Sequence, residues 1–158
     1  MSKLRILLAD DHRIIREGLR RLIEEQSDME IVGEAGDGLE ALQNAKELRP
    51  DMVLMDINMP VSNGIEATRK IMEECKGAKV LALTAHDDAD YVQRMLEAGA
   101  TGFITKNADP NELLSAIKTL AEGGKYLDSK STEQVIGDFL GRKSLKGETQ
   151  GKNLSERE

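Results

Sequence analysis

The sequence predicts an α/β fold, a doubly wound five-stranded parallel sheet with helices on both faces. Two observations lead there. From the start of the chain to about residue 122, short apolar runs alternate with longer amphipathic runs five times over. The apolar runs also lack strict polar alternation, which suits strands buried on both faces rather than strands with one wet side. Right-handed crossovers between successive parallel strands then distribute the helices over both faces.

The expected strands are Ile6–Ala9, Glu30–Val32 leading into Gly33, Met52–Met55, Val80–Leu83 and Gly102–Ile104. The first helix carries Ile14, Ile15, Leu19, Leu22 and Ile23 at helical spacing, with Asp11 as a candidate N-cap. Leu39, Leu42 and Leu48 mark the second helix. Ile65, Ile71 and Met72 mark the third, which comes after Asn63 and ends near Gly77. The fourth carries Tyr91, Val92, Met95 and Leu96 and is closed by Gly99. The fifth opens at Asp109-Pro110, an N-cap followed by proline at the first helical position, and carries Leu113, Leu114, Ile117 and Leu120. Beyond Gly123-Gly124 the pattern changes. Residues 131–140 suit one short helix with Val135, Ile136, Phe139 and Leu140 on one face, and residues 141–153 have the composition of a flexible linker.

At 158 residues the chain fits one domain with some excess. Hydrophobic residues at 39% and charged residues at 32% give the balance of a soluble globular protein. No apolar run approaches the roughly 20 residues that cross a bilayer, and the short apolar start runs directly into two acids, unlike a signal peptide. A cytoplasmic location without membrane attachment is expected. The single Cys75 has no partner for an internal disulfide and reads as a packing or surface residue. A net charge of −7 argues against nucleic-acid binding by these residues alone.

Open parallel sheets place their chemistry beyond the carboxyl ends of the strands. Here the first strand ends in Asp10-Asp11, the third in Asp56, the fourth in Thr84, and the fifth reaches Lys106 after a short gap. Taken singly, Asp11 reads as a helix cap, Thr84 as a strand-end hydroxyl and Lys106 as a surface lysine. Together on one rim, three carboxylates repel each other unless positive charge sits among them. Lys106 supplies part of it, and a hard dication such as Mg²⁺, which takes carboxylates, waters and phosphate oxygens, supplies more. The arrangement suits phosphoryl transfer to Asp56 as a carboxylate nucleophile, with Thr84 and Lys106 stabilising charge on the transferring oxygens.

The segments LLADDH (ending at His12), LMDINMPVSNG (54–64), LALTA (81–85) and GATGFITK (99–106) resemble the response-regulator receiver family over residues 3–122. That resemblance implies the flavodoxin-like receiver fold. ADDHRIIREGL (9–19) and the terminal LSERE further resemble the NarL/FixJ group, whose members carry a LuxR-type helix-turn-helix effector. The implied organisation is a receiver over 1–124, a short helix and linker over 125–153, and the first residues of the DNA-binding part at 154–158. The chain would then stop just before that part.

Residue by residue, the resemblance implies that Asp56 is the phosphoacceptor and that Asp11 and Asp56 ligate Mg²⁺ directly. Asp10 contacts the metal through water, and the backbone carbonyl of Asn58 is a further ligand. Thr84 and Lys106 bind phosphoryl oxygens. Phe103 matches the switch aromatic, and reads equally as a core aromatic. Asn58 and His86 occupy positions that tune the lifetime of the acyl phosphate, although His86 also suits a solvated loop. His12 reads as a loop residue; its place beside the carboxylates also invites a metal reading, against which stands the avoidance of imidazole by Mg²⁺. Lys106 precedes Asn107 where many receivers have proline, so a cis bond there is not expected.

The implied function is a two-component signalling module that catalyses only its own phosphorylation and dephosphorylation. Its partners are a sensor histidine kinase, a second copy in a phosphorylation-dependent homodimer, and DNA through the C-terminal part alone. Two other readings compete. A small-molecule phosphatase with an aspartyl nucleophile needs a general acid two residues on, which Asn58 cannot supply. A phosphorylation-independent module would be expected to lack one of the acids, the threonine or the lysine, and this chain keeps them all.

Overall fold

The computed structural model describes residues 3–57, 59, 64–84, 89–106 and 108–127. The expected helix at 131–140, the linker and LSERE therefore lie outside the described residues, as do Asn58, His86 and Asn107.

The strands are β1 (Leu4–Ala9), β2 (Met29–Ala35), β3 (Met52–Asp56), β4 (Lys79–Thr84), β5 (Gly102–Thr105) and β6 (Tyr126–Leu127). The helices are α1 (Arg13–Glu24), α2 (Gly38–Leu48), α3 (Gly64–Glu74), α4 (Ala89–Ala98) and α5 (Pro110–Ala121). All described pairings are parallel, in the order β2-β1-β3-β4-β5-β6. The five expected strands are present. The sixth, two residues long, extends the sheet at its β5 edge, where Tyr126 and Leu127 align with Gly102 and Phe103. A strand that short carries no periodicity to read.

Successive residues of the central strands feed two separate cores, which is why the sequence shows continuous apolar runs. Leu7, Ala9, Val53, Met55, Val80, Ala82 and Phe103 pack with Ala41 and Ala45 of α2, Ile71 of α3 and Met95 of α4. Ile6, Leu8, Met52, Leu54, Leu81, Leu83 and Ile104 face the other way, onto Ile23 of α1 and Leu113, Ile117 and Leu120 of α5. The edge strand β2 is only partly buried, and its sequence is accordingly mixed.

Local chemistry sets the helix ends. Asp109 Oδ1 accepts from the backbone N–H of Asn111 at 2.8 Å, and Glu112 Oε1 accepts from the N–H of Asp109 at 3.2 Å, so α5 starts on a reciprocal cap with Pro110 at its first turn. Gly99 closes α4 with φ of 115°, a conformation that side chains with a Cβ avoid. At α1 the expectation needs correcting. His12, not Asp11, occupies the N-cap position, and no side chain caps the helix. Asp11 sits one residue too early to reach the free N–H groups of the first turn, and its carboxylate turns to the His12 ring instead. Cys75 is a buried packing residue, and burial pushes its thiol pKa up.

Candidate functional site

Strand register brings the strand-end residues together. Ala9 aligns with Met55, so Asp10 and Asp56 leave adjacent strands at the same level. Asp56 aligns with Leu83, and Thr84 with Thr105, which carries Thr84 and Lys106 to the same rim. The backbone N–H of Lys106 donates to Thr84 O at 2.7 Å and fixes the start of the loop after β5. Asp10, Asp56 and Thr84 are all buried.

Lys106 is the counter-charge. Its Nζ lies 2.9 Å from Asp10 Oδ2 and 3.1 Å from Asp56 Oδ2. Burial by itself would lower the Lys106 pKa. Its hydrogen bond to Asp10 and the charges of both acids outweigh that effect and hold the pKa above the ordinary lysine value. The ammonium therefore stays charged at neutral pH.

One ammonium does not balance the whole cluster. Asp10, Asp11, His12 and Asp56 offer ligand atoms that all lie within 4.8 Å of one another. Asp10 Oδ2 is buried and makes no well-aligned hydrogen bond beyond its ion pair with Lys106. Three carboxylates facing one ammonium, with a buried oxygen short of partners, fit a small hard dication with oxygen ligands. Asp11, partly exposed, leaves a path from solvent.

Support for the cluster comes from His12, from a network of Arg16, Arg20 and Glu34, and from Gly64. His12 lies in the loop between β1 and α1 as expected, and its Nδ1 stands 3.0 Å from both Asp10 Oδ1 and Asp11 Oδ1, so its ring belongs to the cluster. Arg16 reaches from α1 to donate to Asp10 O at 2.5 Å and to Glu34 Oε1 at 2.9 Å, while Arg20 Nη1 donates to Glu34 Oε2 at 2.6 Å. Burial would raise the Glu34 pKa, but the two arginines outweigh it and hold the carboxyl below its usual range. This network pins the turn that carries Asp10 and Asp11. Gly64 opens α3 against the strand that ends in Asp56. A Cβ there would stand 2.2 Å from Asp56 O, so only glycine lets the helix start at that place. Helical spacing marks Arg16 and Arg20 as one α1 face; their partner, on another element, is not visible in it.

Phe103 is buried in the core on the α4 side of the sheet, against the same cluster as Met95. Beside the acidic cluster, a cavity of about 300 Å³ opens between α1 and α5, lined by residues that include Ile15, Leu19, Ile104, Lys106 and Pro110. Among the described residues no helix is long and apolar enough to cross a membrane.

Residues 6–118 match the family described as response regulator receiver domain. The chain is 39% identical over 138 residues to the transcriptional regulatory protein DegU of Brevibacillus brevis, covering 87% of this chain and 58% of that one. It is 40% identical to the oxygen regulatory protein NreC of Staphylococcus carnosus, again over 87% of this chain, and 64% of that protein is covered. The chain thus spans about three fifths of the length of these relatives. Among solved structures, a LuxR-family two-component response regulator from Aurantimonas superposes with a TM-score of 0.79 at 42% identity, covering 87% of this chain and 97% of the other.

Proposed function

Because this chain belongs to the response regulator receiver family, of the NarL/FixJ type, we propose that Asp56 is its phosphoacceptor. The family is one of signalling phosphoacceptors, and its domains generally bind Mg²⁺ at an acidic pocket. The observation that carries the proposal is the Lys106 ammonium held between the buried Asp10 and Asp56 carboxylates at the carboxyl end of the sheet.

In this reading an Asp56 carboxylate oxygen attacks the phosphorus of a phosphohistidine on a sensor kinase. The O–P bond forms, the P–N bond breaks, and the departing imidazole takes up a proton from solvent. Lys106 shifts its ammonium from the carboxylates onto the phosphoryl oxygens, and the Thr84 hydroxyl donates to the same group. Asp10, Asp11, Asp56 and the Asn58 carbonyl hold Mg²⁺, which when bound neutralises phosphoryl charge. No general base is needed, because a carboxylate is already an anion. The exposed Ile14 of α1 and the cavity between α1 and α5 give an apolar face beside the cluster against which the donor protein packs.

Asn58 and His86 set the survival time of the acyl phosphate by flanking the attacking water. Thr84 and Phe103 form the switch. Phe103 has no hydroxyl, so it responds through packing in its core pocket alone. The resulting shift around α4, β5 and α5 changes homodimerisation or releases a DNA-binding part. The domain division is a receiver over 1–124 extended at its sheet edge by β6 (Tyr126–Leu127), then the expected helix and linker up to 153, and the first residues of a helix-turn-helix at 154–158. The transcriptional and oxygen regulatory proteins to which the chain is similar, each longer than this chain, support that output.

BeF₃⁻ with Mg²⁺ tests the assignment. Both bind the parent chain, and binding of BeF₃⁻ is lost in Asp56→Ala. Equal binding by parent and variant contradicts it.

A further inference from the structure

Resting on the reading of the acidic cluster as a metal site, we propose that His12 Nδ1 is a further metal ligand. It shifts the site's preference from Mg²⁺ toward first-row transition-metal dications. His12 Nδ1 stands 3.0 Å from Asp10 Oδ1 and 3.0 Å from Asp11 Oδ1. Three electron-rich atoms at that spacing repel one another unless a proton or a cation lies among them. A single N–H proton serves both oxygens only by sharing one bond between two acceptors.

A dication satisfies all three atoms at once. Adjacent ligands on an octahedron with bonds of about 2.1 Å are about 3.0 Å apart, which is the spacing found on both sides of Nδ1. Asp56 completes a group whose ligand atoms lie within 4.8 Å of each other.

The backbone delivers the ring to this position. His12 takes the N-cap position of α1 with φ of −98° and ψ of 107°, and its N–H donates to Asp10 Oδ1 at 2.7 Å. The ring is held against the acids although its residue is largely exposed, so an ion from solvent can reach it. An imidazole nitrogen adds little for Mg²⁺, whereas Mn²⁺, Co²⁺, Ni²⁺ and Zn²⁺ accept it readily. His12 is therefore a specificity-determining residue. It leaves the carboxylate set intact for Mg²⁺ and improves the site for softer ions.

The test uses the full chain and four proteins: parent, His12→Ala, His86→Ala and Asp56→Ala. Calorimetric titration with Co²⁺ and with Mg²⁺ measures affinity, and electron spin-echo modulation of bound Mn²⁺ detects a coordinated nitrogen. The chain has two histidines, so the His86→Ala protein identifies the source of that signal. In His12→Ala, Co²⁺ affinity falls by about tenfold or more, Mg²⁺ affinity stays within about threefold, and the nitrogen modulation disappears. Loss of the modulation in His86→Ala but not in His12→Ala overturns the proposal. So does an unchanged Co²⁺ affinity, or an equal fall for both ions, which would make His12 a support for the carboxylates only. Failure of the phosphoacceptor reading looks different: no Mg²⁺ binding by the parent, or binding that Asp56→Ala leaves untouched.

Discussion

The ammonium of Lys106 lies 3.1 Å from Oδ2 of Asp56, and the same nitrogen lies 2.9 Å from Asp10. One cation thus holds together two buried carboxylates from neighbouring strands. Replacing it removes a counter-charge that the two carboxylates share. Lys106→Met is expected to lose about 3–5 kcal/mol of stability in the absence of dications. Saturating Mg²⁺ restores a large part of that loss. Urea denaturation with and without Mg²⁺ checks it, and a variant as stable as the parent in chelator would refute it.

Metal linkage gives a second prediction. A ligand present at 100 times its dissociation constant stabilises the folded state by about 2.7 kcal/mol. The parent chain gains this from Mg²⁺, and Asp11→Asn loses most of the gain. Thermal melts across a Mg²⁺ series read the difference, and a series that fails to shift the parent's melting temperature counts against the site.

Gly64→Ala tests how closely α3 is seated on the end of β3. The added Cβ meets the Asp56 carbonyl oxygen at 2.2 Å, where both groups are backbone-bound and neither can rotate aside. The expected cost is about 1–3 kcal/mol, with slower phosphoryl acceptance because Asp56 is displaced. A variant with the parent's urea midpoint and phosphorylation rate would show that the close approach is absent.

The Glu34 carboxyl supplies a pH signature. Its folded pKa lies below the ordinary value because the effect of Arg20 and Arg16 exceeds the upward effect of burial. A depressed carboxyl pKa gives stability that is present above the unfolded pKa and is lost as pH falls through the folded one. Glu34→Gln is expected to cost about 1–2 kcal/mol at pH 7, after discount for partial exposure. The gap between parent and variant narrows below about pH 4.3. A gap that stays constant down to pH 3 would remove the ion pairs as its cause.

Much of this site was legible because strand ends are legible. Continuous apolar runs located β1, β3, β4 and β5, and parallel topology placed the residues after each run on one rim. Asp109-Pro110 announced α5 through local chemistry alone. The features that stayed hidden depend on contacts between distant segments. His12 reads as a loop residue until the turn after β1 is seen to fold its ring onto Asp10 and Asp11. Arg16 reads as the polar face of α1 until Glu34 of β2 is seen opposite it. Asp11 fits the composition of an N-cap, yet the helix begins one residue later. The two residues of β6 leave no pattern, since their place is set by the free edge of β5 and by the return from α5.

Direct mapping of a phosphoryl group onto the chain tests the central claim. The chain is incubated with Mg²⁺ and a small phosphoramidate donor, trapped by borohydride reduction of the acyl phosphate, and read by peptide mass spectrometry. Modification is expected at Asp56 alone, dependent on Mg²⁺ and absent from Asp56→Asn. Modification at another carboxylate in the parent chain, or full labelling of Asp56→Asn, would contradict it.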